Sequence, residues 1–234
     1  MYLFDDGRLA QPAAPETALD IVRICLIDPA GVLRSQAGLR EDFRSKLEEK
    51  FNKLDENWLK QASLAFRVIY VAGEPSDTAK ATLGELDFPV YLLGKQHGVK
   101  YVLELMTKHR IPKQVGSQDL YDLAKDCWES RDVRGCGLPS GQGSRKIGFI
   151  KAEKVMTEAP GDIWQALVNS TAHEIGHMGN RRQHSNKGLM KYPVPQDRFI
   201  DFDTSDKYLF LSDLVRLRKL RERRKPKMLR WVFR

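Results

Sequence analysis

Hydrophobic positions along this chain fall into short runs of distinct period. Ile21 to Ile27 (IVRICLI) is apolar and β-branched and ends at Asp28-Pro29-Ala30-Gly31, which predicts a strand followed by a turn. Between residues 40 and 62, Phe43, Leu47, Phe51, Leu54, Trp58 and Leu59 recur at helical spacing among charges, which predicts one amphipathic helix. Phe66 to Val71 (FRVIYV), closed by Gly73-Glu74-Pro75, predicts a second strand, and residues 88–93 (FPVYLL) a third. Val99 to Lys108 fits strand and helix equally, whereas residues 119–129 read as helix. Residues 134–144 hold four glycines and a proline and read as a long surface loop. Lys146 to Met156 (KIGFIKAEKVM) then reads as an extended, partly exposed strand.

The most regular stretch begins at Asp162, a good N-cap residue. Ile163, Leu167, Thr171 and Ile175 follow at intervals of four, and Trp164, Ala166 and Ser170 widen the same face. Gly179 and Asn180 are residue types that end helices in the left-handed conformation, so the helix is expected from about Ile163 to Met178. Near the C-terminus Leu211, Leu214, Leu217 and Leu220 supply one apolar stripe, with Ser212 or Asp213 as the cap of a last helix.

Composition adds bounds. With 234 residues, 41% hydrophobic and 30% charged, the chain has the size and character of one globular domain that needs no staples. No run approaches the 18 or so apolar residues of a membrane span. Residues 1–17 are polar, contain Pro12 and Pro15, and read as an arm or leader without the basic start and apolar stretch of a secretory signal. Of the three cysteines, Cys25 reads as a small buried hydrophobe. Cys127 and Cys136 are expected as unpaired thiols, with pairing as the alternative, and the default location is then cytoplasmic. The net charge of +8 is uneven: residues 216–234 hold ten Lys or Arg against Glu222 alone, which leaves the rest of the chain near neutral. This basic segment, with Trp231 and Phe233, is either a solvated helix end or an anchor for nucleic acid or another anionic surface.

The chemistry concentrates in His173-Glu174-Ile175-Gly176-His177. Histidines four apart on a helix point from one face, so both imidazoles can reach a single ion. Glu174 projects beside the pair but out of register with it, which places a carboxylate on a water at the ion rather than on the ion. That pattern suits zinc-assisted peptide hydrolysis. A catalytic zinc needs a third protein ligand. His184 is the nearest candidate, and the carboxylates of Asp197, Asp201, Asp203 and Asp206 compete with it. His97 and His109 lie far from the motif and read as surface or core histidines.

The run His173-Glu-Ile-Gly-His177-Met-Gly-Asn-Arg-Arg-Gln-His184, followed by Ser-Asn-Lys-Gly-Leu-Met190-Lys-Tyr192-Pro193, resembles the metzincin clan of zinc endopeptidases, and its wording is closest to the matrixins. It departs from the clan in having Asn180 where the clan has glycine, and an interval of seven rather than six between the second and third histidines. The resemblance implies an α/β zincin with a mixed twisted sheet, a long backing helix, a zinc-binding helix and a small C-terminal subdomain. It implies Zn2+ on His173, His177 and His184, Glu174 as general base, and Met190 as the floor beneath the ligands. It also implies that residues 146–156 line the cleft and hold an extended peptide substrate. Tyr192 occupies the place where astacins carry a tyrosine that contacts the zinc or the oxyanion. The expected organisation is an arm over 1–17, a metallopeptidase domain over 18–210 and a basic helix and tail over 211–234. The rivals are a zinc-binding module without proteolytic activity and a nucleic-acid-associated protein anchored by its tail.

Overall fold

A computed structural model describes residues 20–73, 83–84, 86–130, 133–139, 145–180, 184–194 and 200–224. The expected arm over 1–17, with Asp197, Trp231 and Phe233, lies outside these residues. The described residues form a mixed α/β fold. Strands β1 (Asp20–Asp28), β2 (Leu64–Ala72) and β3 (Asp87–Leu92) fall where the apolar runs placed them. Strands β6 (Gly135–Leu138) and β7 (Ile147–Ile150) complete a five-stranded sheet of order β2-β1-β3-β7-β6, while β4 (Gln114–Val115) and β5 (Gln118–Asp119) pair in a small hairpin. All pairings in the large sheet are parallel except that of β6 with β7.

The central strands are apolar on both faces because both faces are covered. Val22, Ile24, Leu26, Phe88, Val90 and Leu92 point into one core, together with α1 (Ala37–Asn52), α6 (Ile163–Asn180) and α7 (Thr204–Arg224). Ile27, Tyr91, Leu93 and Phe149 point into a second core against α3 (Val99–Lys108) and α4 (Leu120–Glu129). Phe210 of α7 sits at the centre of the first core, with the rings of Phe51, Phe66, Phe88 and Phe202 between 5.6 and 6.2 Å away. No helix among the described residues is long and apolar enough to cross a membrane.

Several expectations need correction. The helix over 40–62 is two: α1 stops at Asn52, and α2 (Glu56–Gln61) restarts because the Asp55 carboxylate takes the Trp58 N–H at 3.0 Å. The undecided segment 99–108 is helical. The glycine-rich loop over 134–144 contains β6, whose Gly135 and Gly137 serve close packing rather than turning. The strand over 146–156 is only four residues long, since Ala152–Glu158 forms α5. Nor is that strand an exposed edge, because β7 is buried along its length and paired on both sides by β3 and β6. Gly179 does not end α6; it is helical and buried where the Phe210 ring lies too close for any side chain. The last helix opens at Thr204, well before Ser212 or Asp213, and Asp203 accepts from Ser205 N–H at 3.0 Å at its start. Cys127 and Cys136 are joined in a disulfide, because α4 packs across β6 and brings their Cα atoms to 5.7 Å.

Cys25 is buried, as expected. The described part of the basic C-terminal segment folds back on the body: Arg218 and Arg221 reach Asp20 at 3.1 and 2.9 Å.

Candidate metal centre

Helix α6 is enclosed by α1, α7, β6 and β7, so from Ala166 to Gly176 every residue is buried. The enclosure also buries polar residues of the helix, Asn169, Ser170, Thr171, His173 and Glu174. Its last two turns bring His173 and His177 to the wall of a cleft of about 260 Å³, which His184 and Tyr192 share. The chain after α6 returns His184 to the same point: one nitrogen from each of the three rings lies within 4.8 Å of the others. The ring centroids are 4.7, 5.1 and 5.0 Å apart.

His173 is the best fixed of the three. Its Nδ1 lies 2.7 Å from the Leu189 carbonyl, which can only accept, so the ring proton is on Nδ1 and the Nε2 lone pair faces the cluster. That Nε2 is 3.1 Å from His177 Nε2. Two nitrogens at about 2.0–2.1 Å from one tetrahedral ion lie about 3.3 Å apart, so the pair has the spacing zinc asks for. Burial, and then the neighbouring His177, depress the His173 pKa to about 3. Partial desolvation on the cleft side lowers that of His184 as well, although the residue is exposed. His173 and His184 are therefore held towards the neutral imidazole, the form that binds a metal cation, and the three rings together fit zinc.

Glu174 is buried on the β6 side of the helix. Desolvation raises its pKa to about 8, against the opposing hydrogen bond donated by Gly137 N–H. Gly135 and Gly137, two apart on one face of β6, leave the room for it: a Cβ on Gly135 would stand 2.9 Å from Glu174 Oε1, and one on Gly137 would strike the Glu174 carbonyl. These glycines escaped the sequence reading because clustered glycine looks like loop. Their alternation with Cys136 was the available signal.

Met190 lies under α6 with its sulfur against Gly176, where no side chain would fit. It belongs to a tight turn in which Lys191 N–H donates to the Gly188 carbonyl at 3.2 Å and Gly188 has φ +60. Tyr192 follows on the cleft side, its ring 4.8 Å from that of His184. Of the competing carboxylates, Asp197 lies outside the described residues and the other three are engaged or remote. Asp201 pairs with Lys50 at 3.1 Å, Asp203 serves the start of α7, and Asp206 is buried in the first turn of α7; none joins the ring cluster. His109 is a core residue between the Tyr91 hydroxyl and the Lys146 carbonyl, each at 3.1 Å, and His97 caps a turn at Gly94.

No family model matches the chain. Nor does any curated protein. Among solved structures, it is similar to the crystal structure of archaemetzincin from Methanopyrus kandleri, at 14% identity and a TM-score of 0.45, over 87% of this chain and 99% of that one.

Proposed function

We propose that this protein is a zinc-dependent peptidase of metzincin type. His173, His177 and His184 would hold the ion, with Glu174 as general base and then acid. The observation that carries this reading is the convergence of three imidazole nitrogens within 4.8 Å on a cleft that a buried carboxylate also lines. Bound zinc would polarise the scissile carbonyl and lower the pKa of water towards about 7. Glu174, ionised once a cation's charge offsets the desolvation that raises its pKa, would take a proton from the attacking water and deliver it to the leaving nitrogen. The Gly137 N–H aims that carboxylate, and the Leu189 carbonyl aims His173. Tyr192, beside His184, donates its phenolic hydrogen to the developing oxyanion. An extended peptide would lie along β6, which ends the sheet next to the cleft, in the place first expected for residues 146–156.

The test is Glu174→Gln. The variant should retain one zinc per chain by elemental analysis and lose cleavage of a peptide library by about 10²-fold or more. Full activity in that variant removes Glu174 from the reaction. Loss of zinc binding on His184→Ala but not on Asp203→Ala would support the ligand set; the reverse pattern would replace His184 by a carboxylate.

A further inference from the structure

A second cavity, about 520 Å³ and twice the volume of the histidine cleft, lies between α1, the first turn of α6 and the chain entering α7. It is within the size range of small-ligand sites. Its apolar wall is made by Trp164, Phe202 and Leu54. Its polar wall is chiefly lysine. Lys46, Lys50 and Lys53 follow one another along α1 at intervals that place them on one face, and Lys207 joins them from α7.

Two carboxylates face these four ammonium groups. Glu49 is shared by Lys46 at 2.9 Å and Lys53 at 2.6 Å, and Asp201 holds Lys50 at 3.1 Å. Lys207 pairs with Asp55, 3.8 Å away and outside the cavity wall. Among the lining residues four ammonium groups thus face two carboxylates, with Asp55 offsetting Lys207 from outside. Lys50 is the buried member, with only 1% of its side chain exposed: its ammonium donates to the Ile200 carbonyl and pairs with Asp201, while desolvation holds its amine below the usual lysine range. An anion in the cavity would offset the excess of lysine.

We propose that this cavity binds a small phosphate monoester carrying a planar ring, with the phosphate among the α1 lysines and the ring on Trp164. A monoester carries about −1.5 to −2 charges at pH 7, opposite in sign to the excess of lysine. The indole supplies the flat apolar surface that a bare phosphate would leave uncovered.

Phenyl phosphate is the probe, titrated calorimetrically into the full chain. One saturable site with Kd below about 1 mM is expected, weakened by salt, with inorganic phosphate at least about ten-fold weaker and phenol undetected. The double variant Lys46→Gln/Lys53→Gln removes two exposed lysines and no buried group. It should weaken phenyl phosphate at least about ten-fold with the melting temperature within a few degrees of wild type, since the two ion pairs lost on Glu49 are exposed. Absence of saturable binding, equal affinity for inorganic phosphate, or equal affinity in the lysine variant would each overturn the proposal. So would binding that is lost in His177→Ala and kept in the lysine variant, since that places the phosphate at the metal centre.

Discussion

Gly176 sits between Glu174 and His177 at the point where α6 passes over the Met190 sulfur and the Phe202 ring, with no space for a methyl group. Gly176→Ala should therefore destabilise the fold by about 1–3 kcal/mol, seen as a lower urea midpoint at unchanged slope. The same change should weaken zinc, because Met190 adjoins Leu189, whose carbonyl orients His173. An unaltered midpoint would mean that the turn under the helix yields freely. That His173 and His177 share one side of α6 was legible from spacing, since a helix places i and i+4 on one side whatever surrounds it. The contribution of Gly137 was not, because its N–H reaches Glu174 only through the packing of a strand distant in sequence.

At the scale of elements, the disulfide between Cys127 and Cys136 fastens α4 to the strand that carries Gly135 and Gly137. Alternation along β6 sends the two glycines to Glu174 and Cys136 to the opposite core. Closing a loop of this size, with its sequence separation of 9, stabilises by about 2–3 kcal/mol. Cys136→Ser should lower unfolding stability by about that amount, and a reducing agent should lower the wild-type protein equally while leaving the variant unchanged. A reductant effect of the same size in Cys136→Ser would assign it to something other than this bond. The break between α1 and α2 is also an element-scale event. The apolar spacing runs through residues 40–62 without interruption, but Asp55 offers the chain a cap that competes with helix continuation.

For the whole molecule, the three rings connect the enclosed helix α6 to the segment after it, which also carries the Met190 turn. An ion there would tie these two parts of the fold together, and only the folded state assembles the site. Zinc at 100 times its Kd should then raise stability by about 2.7 kcal/mol, read as a higher melting temperature that a chelator reverses. His184→Ala should abolish most of that shift while leaving the metal-free melting temperature within a few degrees, since the ring is exposed. A zinc-induced shift of full size in His184→Ala would show that the third ring takes no part.

What this sequence determines by itself is what depends on near neighbours in the chain: β-branched runs that become strands, the amphipathic face of α1, and the HExxH register on α6. Backbone geometry and side-chain sterics suffice for these. Tertiary structure decided which strand borders the cleft. Both β6 and β7 are short and hydrogen-bonding, and only the order of the sheet makes β6 the edge and buries β7 between partners. It likewise decided that Gly179 serves close helix packing rather than a helix end, and that Cys127 meets Cys136. Each of these outcomes depends on surfaces brought together from distant parts of the chain, where local pattern carries no information about distance.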